Sequence, residues 1–131
     1  MKIQQAFDKM VSHLAQQGKQ AYDNDTEKCL YRTKDDLKCV VGCLLSEEAY
    51  AEIVLHDQTT ARVNFILRRI PIVQQELALD DNSNATSFYG AMQHAHDSSR
   101  DKEHLIRELE SIASLYELDP EKISTIQQWE T

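Results

Sequence analysis

Residues 84–117 read NATSFYGAMQHAHDSSRDKEHLIRELESIASLYE, and the periodicity of this stretch decides the fold. Phe88, Met92 and His96 recur every four residues, the spacing of one helix face, which predicts a helix over about residues 84–98. Leu105, Ile106, Leu109, Ile112, Ala113 and Tyr116 predict a second, longer one over about 101–117. Only Ser98-Ser99-Arg100 separates them, so the two are expected to pack as an antiparallel pair. Ser83 or Asn84 stands where a cap is wanted, after the polar loop Asp80–Asn84.

Outward from this pair the chain stays mostly helical. Pro71 to Leu79 forms a short helix, and Pro71 disfavours helix at Ile70, ending a preceding one built on Val63, Ile66 and Leu67 and capped by Thr59 or Thr60. Ser46 followed by Glu47 and Glu48 is a helix start, with Tyr50, Ile53 and Val54 facing inward. Ile3, Phe7, Met10, Val11, Leu14 and Ala15 predict a first helix over about 3–17, stopped by Gly18. Residues 19–27 are polar and read as a loop. Lys28–Arg32 and Leu37–Val41 are short β-prone runs around the polar turn 33–36, a small two-stranded antiparallel hairpin, and Gly42 breaks the second run. At the other end Asp119-Pro120 opens a last helix with Ile123, Ile126 and Trp129 on its apolar side. The expected fold is mainly α (α+β): one domain over 1–131, five to six helices and a hairpin near residues 28–41. Trp129 stands either at a homodimer interface or against helix 3–17.

At 131 residues the chain is long enough to bury a core without staples. Its charge of −8 argues against general nucleic-acid binding, which depends on excess positive charge. The acidity is uneven. Residues 1–40 carry seven Lys+Arg and six Asp+Glu, whereas 41–131 carry seven and sixteen. From Ile70 to Ser99 there is no Lys or Arg, while Glu76, Asp80, Asp81 and Asp97 are present. Such a face suits a partner with a basic surface. The segment Met1–Ala6 is polar, and no apolar run approaches the roughly 20 residues that span a bilayer, so no membrane association is expected. Three cysteines with no secretory signal suit a reduced, cytoplasmic setting.

Two constellations could carry chemistry. Cys29, Cys39 and Cys43 are spaced C-x₉-C-x₃-C, with no CxxC, so a zinc site is poorly signalled and buried thiols are the simpler account. With a turn at 33–36, residues 32 and 37 pair, and Cys29 and Cys39 become neighbours on opposite faces. His96 lies on the apolar side of its helix with Asp97 beside it and Gln93 one turn earlier. A buried histidine needs partners for its ring nitrogens. Set beside Cys29 or Cys39, it would complete the parts of a cysteine hydrolase or deamidase, Asp97 and Gln93 orienting and stabilising. Tyr31 and Arg32, with Lys34 and Lys38 near them, make the hairpin the most basic stretch, where a phosphate-bearing ligand or simply a solvated edge is expected. Arg68-Arg69 at a helix end complements the dipole, pairs with Glu76 or holds a small anion. There is no Gly-rich phosphate loop, G-x-S-x-G or H-E-x-x-H, and no cofactor is implied.

The pieces Cys29-Leu-Tyr-Arg32, Leu37-Lys-Cys39, Gly42, Leu44 and Glu48-x-Tyr50, followed by Gln93-x-x-His96-Asp97, resemble a family of small uncharacterised proteins of phages, prophages and bacterial genomes. The likeness covers roughly residues 3–115 and is most specific over 29–50. The chain departs from it at Asp36, where the family tends to carry glycine, and Cys43 stands at a variable position. The resemblance implies a context rather than a mechanism: small acidic phage proteins often act by binding and disabling host proteins, defence systems included. The leading expectation is therefore an acidic interaction protein acting on a host protein, with Glu76, Asp80, Asp81 and Asp97 as the contact face and Tyr31 and Arg32 as further binding residues. The competing expectations are the cysteine enzyme and a small-ligand protein with its pocket between the hairpin and the helices.

Overall fold

The computed structural model describes every residue except Asn82, so the expected loop at 80–84 includes one position outside the described residues. Among the described residues there are six α-helices: α1 Ile3–Gln17, α2 Glu47–Leu55, α3 Val63–Arg69, α4 Pro71–Glu76, α5 Ala85–Ser98 and α6 Lys102–Leu115. A two-stranded antiparallel sheet completes the mainly helical architecture, β1 Tyr22–Asp23 against β2 Lys28–Cys29. Short 3₁₀ turns lie at Gly42–Leu44 and Glu121–Thr125.

The ends of the elements follow from local chemistry. Ser46 Oγ accepts from Ala49 N and starts α2, and Asn84 caps α5 by accepting from Ser87 N. Gly18, at φ 70°, closes α1 in a left-handed cap. Pro71 opens α4 at its first position, where its missing N–H costs nothing. Asp101 caps α6 by accepting from His104 N.

The core gathers one face of each long helix: Phe7, Met10 and Leu14 of α1, Phe88, Tyr89 and Met92 of α5, and Leu105 and Leu109 of α6 are fully or almost fully buried. Trp129 is buried too, its indole N–H donating to Ser99 O at 3.2 Å, so this side chain closes the core. Val54, expected inside, is 53% exposed, because α2 packs through Ala49 and Ile53 alone. The last segment is a 3₁₀ turn and not an α-helix. After it the chain extends to pair with residues 18–20, Gln20 N donating to Glu130 O and Glu130 N to Gly18 O.

The ribbon is shifted from its expected place. The segment 19–27 supplies a strand, with Asp23 accepting from both N and Oγ1 of Thr26 to hold the turn. Residues 28–41 contribute one further bridge, Arg32 to Lys38, a register one residue longer than the expected 32–37 pairing. Thr33 causes the slip: its N–H donates to Leu37 O, and its hydroxyl accepts from Leu37 N. Asp36 there has φ 63°, the left-handed region that glycine favours, at the position where a family-like glycine was noted. Gly42 is required for a different reason. A Cβ there would lie 1.9 Å from Tyr31 O, so only hydrogen fits beneath the ribbon.

Candidate functional site

The imidazole at position 96 turns inward. It is completely buried, stacked edge-on against Trp129 at 5.6 Å. Its Nε2 lies 3.0 Å from Ala21 N, and a backbone N–H can only donate, so Nε2 carries the lone pair. Nδ1 therefore bears the proton and donates to Asp97 Oδ1 at 2.6 Å. Gln93 Nε2 donates to the same Oδ1 at 2.8 Å. Gln20 Nε2 binds the carbonyls of His96 and Asp97, tying the segment before β1 to the end of α5.

Cys29, on β2, faces this cluster. Its sulfur, a His96 ring nitrogen and an Asp97 oxygen all lie within 4.8 Å of one another. Burial first, then the charge of Asp97 and a hydrogen bond to it, push the Cys29 thiol up to about 12. It is thus a neutral S–H donor at physiological pH. Burial likewise pushes Cys43 up to about 12 and raises Cys39, whose sulfur accepts from Gly42 N at 3.2 Å.

These contacts decide what the cluster can do. A thiolate nucleophile needs a base with a lone pair aimed at sulfur. The only lone pair of His96 is held by the backbone of Ala21, and burial together with the nearby charge of Asp97 disfavours ionisation of Cys29. The same tautomer leaves neither His96 nitrogen free for a metal unless the Ala21 bond breaks. Cys29, His96, Asp97 and Gln93 are brought together, Cys39 is not part of the group, and the hydrogen bonds tie α5 to Gln20 and Ala21 just before β1, with Cys29 of β2 alongside.

The other sequence-nominated residues are also tied within the chain. Glu76 accepts from both N and Oγ of Ser46. Asp80 pairs with the amino terminus at 2.5 Å, and Asp81 accepts from Ile3 N at 3.2 Å. Arg32 is held by Glu47 at 2.6 Å and Leu45 O at 2.5 Å, under the ring of Tyr50. Tyr31 donates to Ala61 O at 2.5 Å. Arg69 lies over Phe65, and Glu76 serves Ser46, so no Arg68–Arg69–Glu76 cluster forms.

A cleft of about 590 Å³ lies between the ribbon, the 59–64 segment and α5, in the region where a ligand pocket was one of the competing expectations. Its α5 wall is the stripe Thr86, Gly90, Gln93 and Asp97, at helical spacing. Thr59, Thr60, Arg62 and Asn64 form the facing wall, and Cys29 to Tyr31 one end. Among the described residues no side-chain hydrogen bond ties Thr59, Thr60, Arg62, Asn64, Thr86 or His94. Gly90 sits mid-helix in the middle of the wall. A Cβ there would meet nothing nearer than Val63 Cγ1 at 4.0 Å, so packing does not require the glycine. An isolated glycine inside a helical pattern was the one available signal.

Among the described residues no helix is long and apolar enough to cross a membrane. No protein-family model, curated protein or solved structure matches the chain.

Proposed function

We propose that this protein is a non-catalytic binder of a small polar molecule, held in the cleft between the ribbon, α3 and α5. The cleft itself carries the reading. Its volume lies within the roughly 300–1,000 Å³ of small-molecule sites, and Thr59, Thr60, Arg62, Asn64, Thr86 and His94 line it without side-chain partners among the described residues. Gly90 adds weight. A mid-helix glycine costs about 0.5–1 kcal/mol relative to alanine, and here its effect is to deepen the cleft. The neutral thiol of Cys29 and the occupied lone pair of His96 favour capture over turnover.

Native mass spectrometry of the protein isolated from cells, with a thermal-shift screen of polar metabolites, tests this. A bound small mass, or a ligand that raises the melting temperature, is expected. Bare protein in every preparation together with no stabilising metabolite contradicts it.

A second reading keeps the acidic surface as the working face toward a basic host protein, the phage-type role. What favours it is the scarcity of internal pairing. Apart from histidine contacts, the ion pairs among the described residues involve only Asp80, Glu47 and Asp25, out of 22 Asp+Glu in the chain. Binding of this kind falls steeply with added salt, and salt-insensitive capture of a partner would remove its electrostatic basis.

A further inference from the structure

The cleft mixes apolar lining, Leu30, Ala61 and Val63, with polar groups, and the chemistry of those polar groups selects a class of ligand. At the α5 C-terminal end stand two acceptors one helical turn apart. Gln93 and His96 both bond Oδ1 of Asp97, which leaves Oδ2 free of either bond, and the Asp97 side chain is 41% exposed. Gln93 Oε1 is buried and has no partner at all. An orphaned buried acceptor is unfavourable until a donor reaches it. Gln93 lines the cleft as Asp97 does, so its unpartnered amide oxygen is the second acceptor at this end. Two adjacent acceptors match a group presenting two adjacent N–H donors.

The opposite end differs. Thr86 lies in the first turn of α5, a turn without acidic residues. Arg62 lines the same cleft, exposed and with no carboxylate partner among the described residues. Thr59, Thr60 and Thr86 add hydroxyls that donate to an anion. From Thr86 to Asp97 the helix rises roughly 16 Å, the reach of an extended small molecule rather than of a single ion.

We infer that the cleft binds a bipolar small molecule with a paired N–H donor face at Asp97 and Gln93 and one anionic group at Arg62. The inference rests on the ligand-binding reading above and specifies its chemistry. Two sources present both features. A guanine mononucleotide offers N1–H and the 2-amino group at one end and a phosphate at the other. Free arginine offers a guanidinium and a carboxylate. The volume favours the nucleotide. The overall charge of −8 and the single guanidinium lining the cleft favour one phosphate over three.

Calorimetric titration of the full chain with guanosine 5′-monophosphate, adenosine 5′-monophosphate, guanosine and L-arginine tests it. Guanosine monophosphate is expected to bind at least tenfold more tightly than its adenosine counterpart, whose base edge replaces one donor by an acceptor. Arg62→Ala should weaken guanosine monophosphate at least tenfold and leave guanosine unchanged. Asp97→Asn keeps an acceptor for His96 and replaces the other oxygen by a donor, so it should preserve the melting temperature and weaken every guanidine-bearing probe tenfold or more. Binding of L-arginine with the same two dependences supports the bipolar chemistry and assigns the amino-acid source. Equal binding of the two nucleotides, indifference to Asp97→Asn, or no binding of any probe overturns the inference. If the protein then still carries a cellular ligand that Gly90→Leu expels, the ligand-binding reading stands without it; if it carries none, both fall.

Discussion

Two neighbouring regions of α5 use the same kinds of residue to opposite ends. Where α5 meets the ribbon, His96, Asp97 and Gln93 gather with Ala21, Gln20 and Cys29, and most of their polar atoms, Gln93 Oε1 and Asp97 Oδ2 apart, find a partner inside the chain. On the cleft side Thr86, His94 and the facing 59–64 segment hold polar groups that bond to nothing among the described residues. The first arrangement is how a protein keeps a histidine in its core. The second is how a surface stays available to something else. A list of chemically capable residue types does not separate the two; the separation lies in where the hydrogen bonds already go.

The sharpest way to break this contrast is to remove the histidine. His96→Leu keeps the bulk but orphans Ala21 N–H and frees Asp97, so a loss of about 3 kcal/mol is expected in urea unfolding. A loss below about 1 kcal/mol would mean that these hydrogen bonds are not what ties α5 to the segment before β1.

Alkaline pH probes the same region through its thiols. Cys29 and Cys43 ionise near 9.0 in an exposed chain and near 12 when folded. The folded state holds these protons more tightly, so that stability is complete below pH 9 and is lost as pH rises from 9 to 12. Unfolding midpoints should fall over this window, and less steeply in Cys29→Ser. All three thiols should alkylate slowly at pH 7. One that reacts far faster than the others would restore the cysteine-enzyme reading.

Smaller effects sharpen the cleft side. Gly90→Ala should raise stability by about 0.5–1 kcal/mol, since the helix gains and no neighbour is nearer than 4.0 Å. A destabilised Gly90→Ala would show that the space is needed for folding. Thr60→Ala and Asn64→Ala should each change stability by less than about 0.5 kcal/mol, as befits groups without internal partners. Larger losses would place them in the fold rather than in the site.

Much of the scaffold was legible because it rests on local rules. The periods of Phe88, Met92 and His96 and of Leu105 to Tyr116 mark α5 and α6, and Asn84 and Ser46 cap as their residue types suggest. His96 could be placed inward for the same reason. Its partner could not, because Ala21 offers a backbone N–H and leaves no trace in residue type. The role of Thr33 in moving the ribbon register by one residue depends on a hydroxyl that serves two backbone groups, which β-propensity does not register. The acidic residues from 76 to 97 are visible in sequence as charge, whereas contacts over long separations, such as the ion pair of Asp80 with the amino terminus, are not. The cleft needed the 59–64 segment beside α5, a proximity that no local pattern encodes.

The central claim is that Gly90 holds open a binding site that the fold does not need. Gly90→Leu, compared with the unaltered chain by urea unfolding and native mass spectrometry on the same samples, meets it most directly. The account predicts an unfolding midpoint at or above that of the parent together with loss of the bound small molecule. A variant that still carries the ligand, or one that no longer folds, contradicts it.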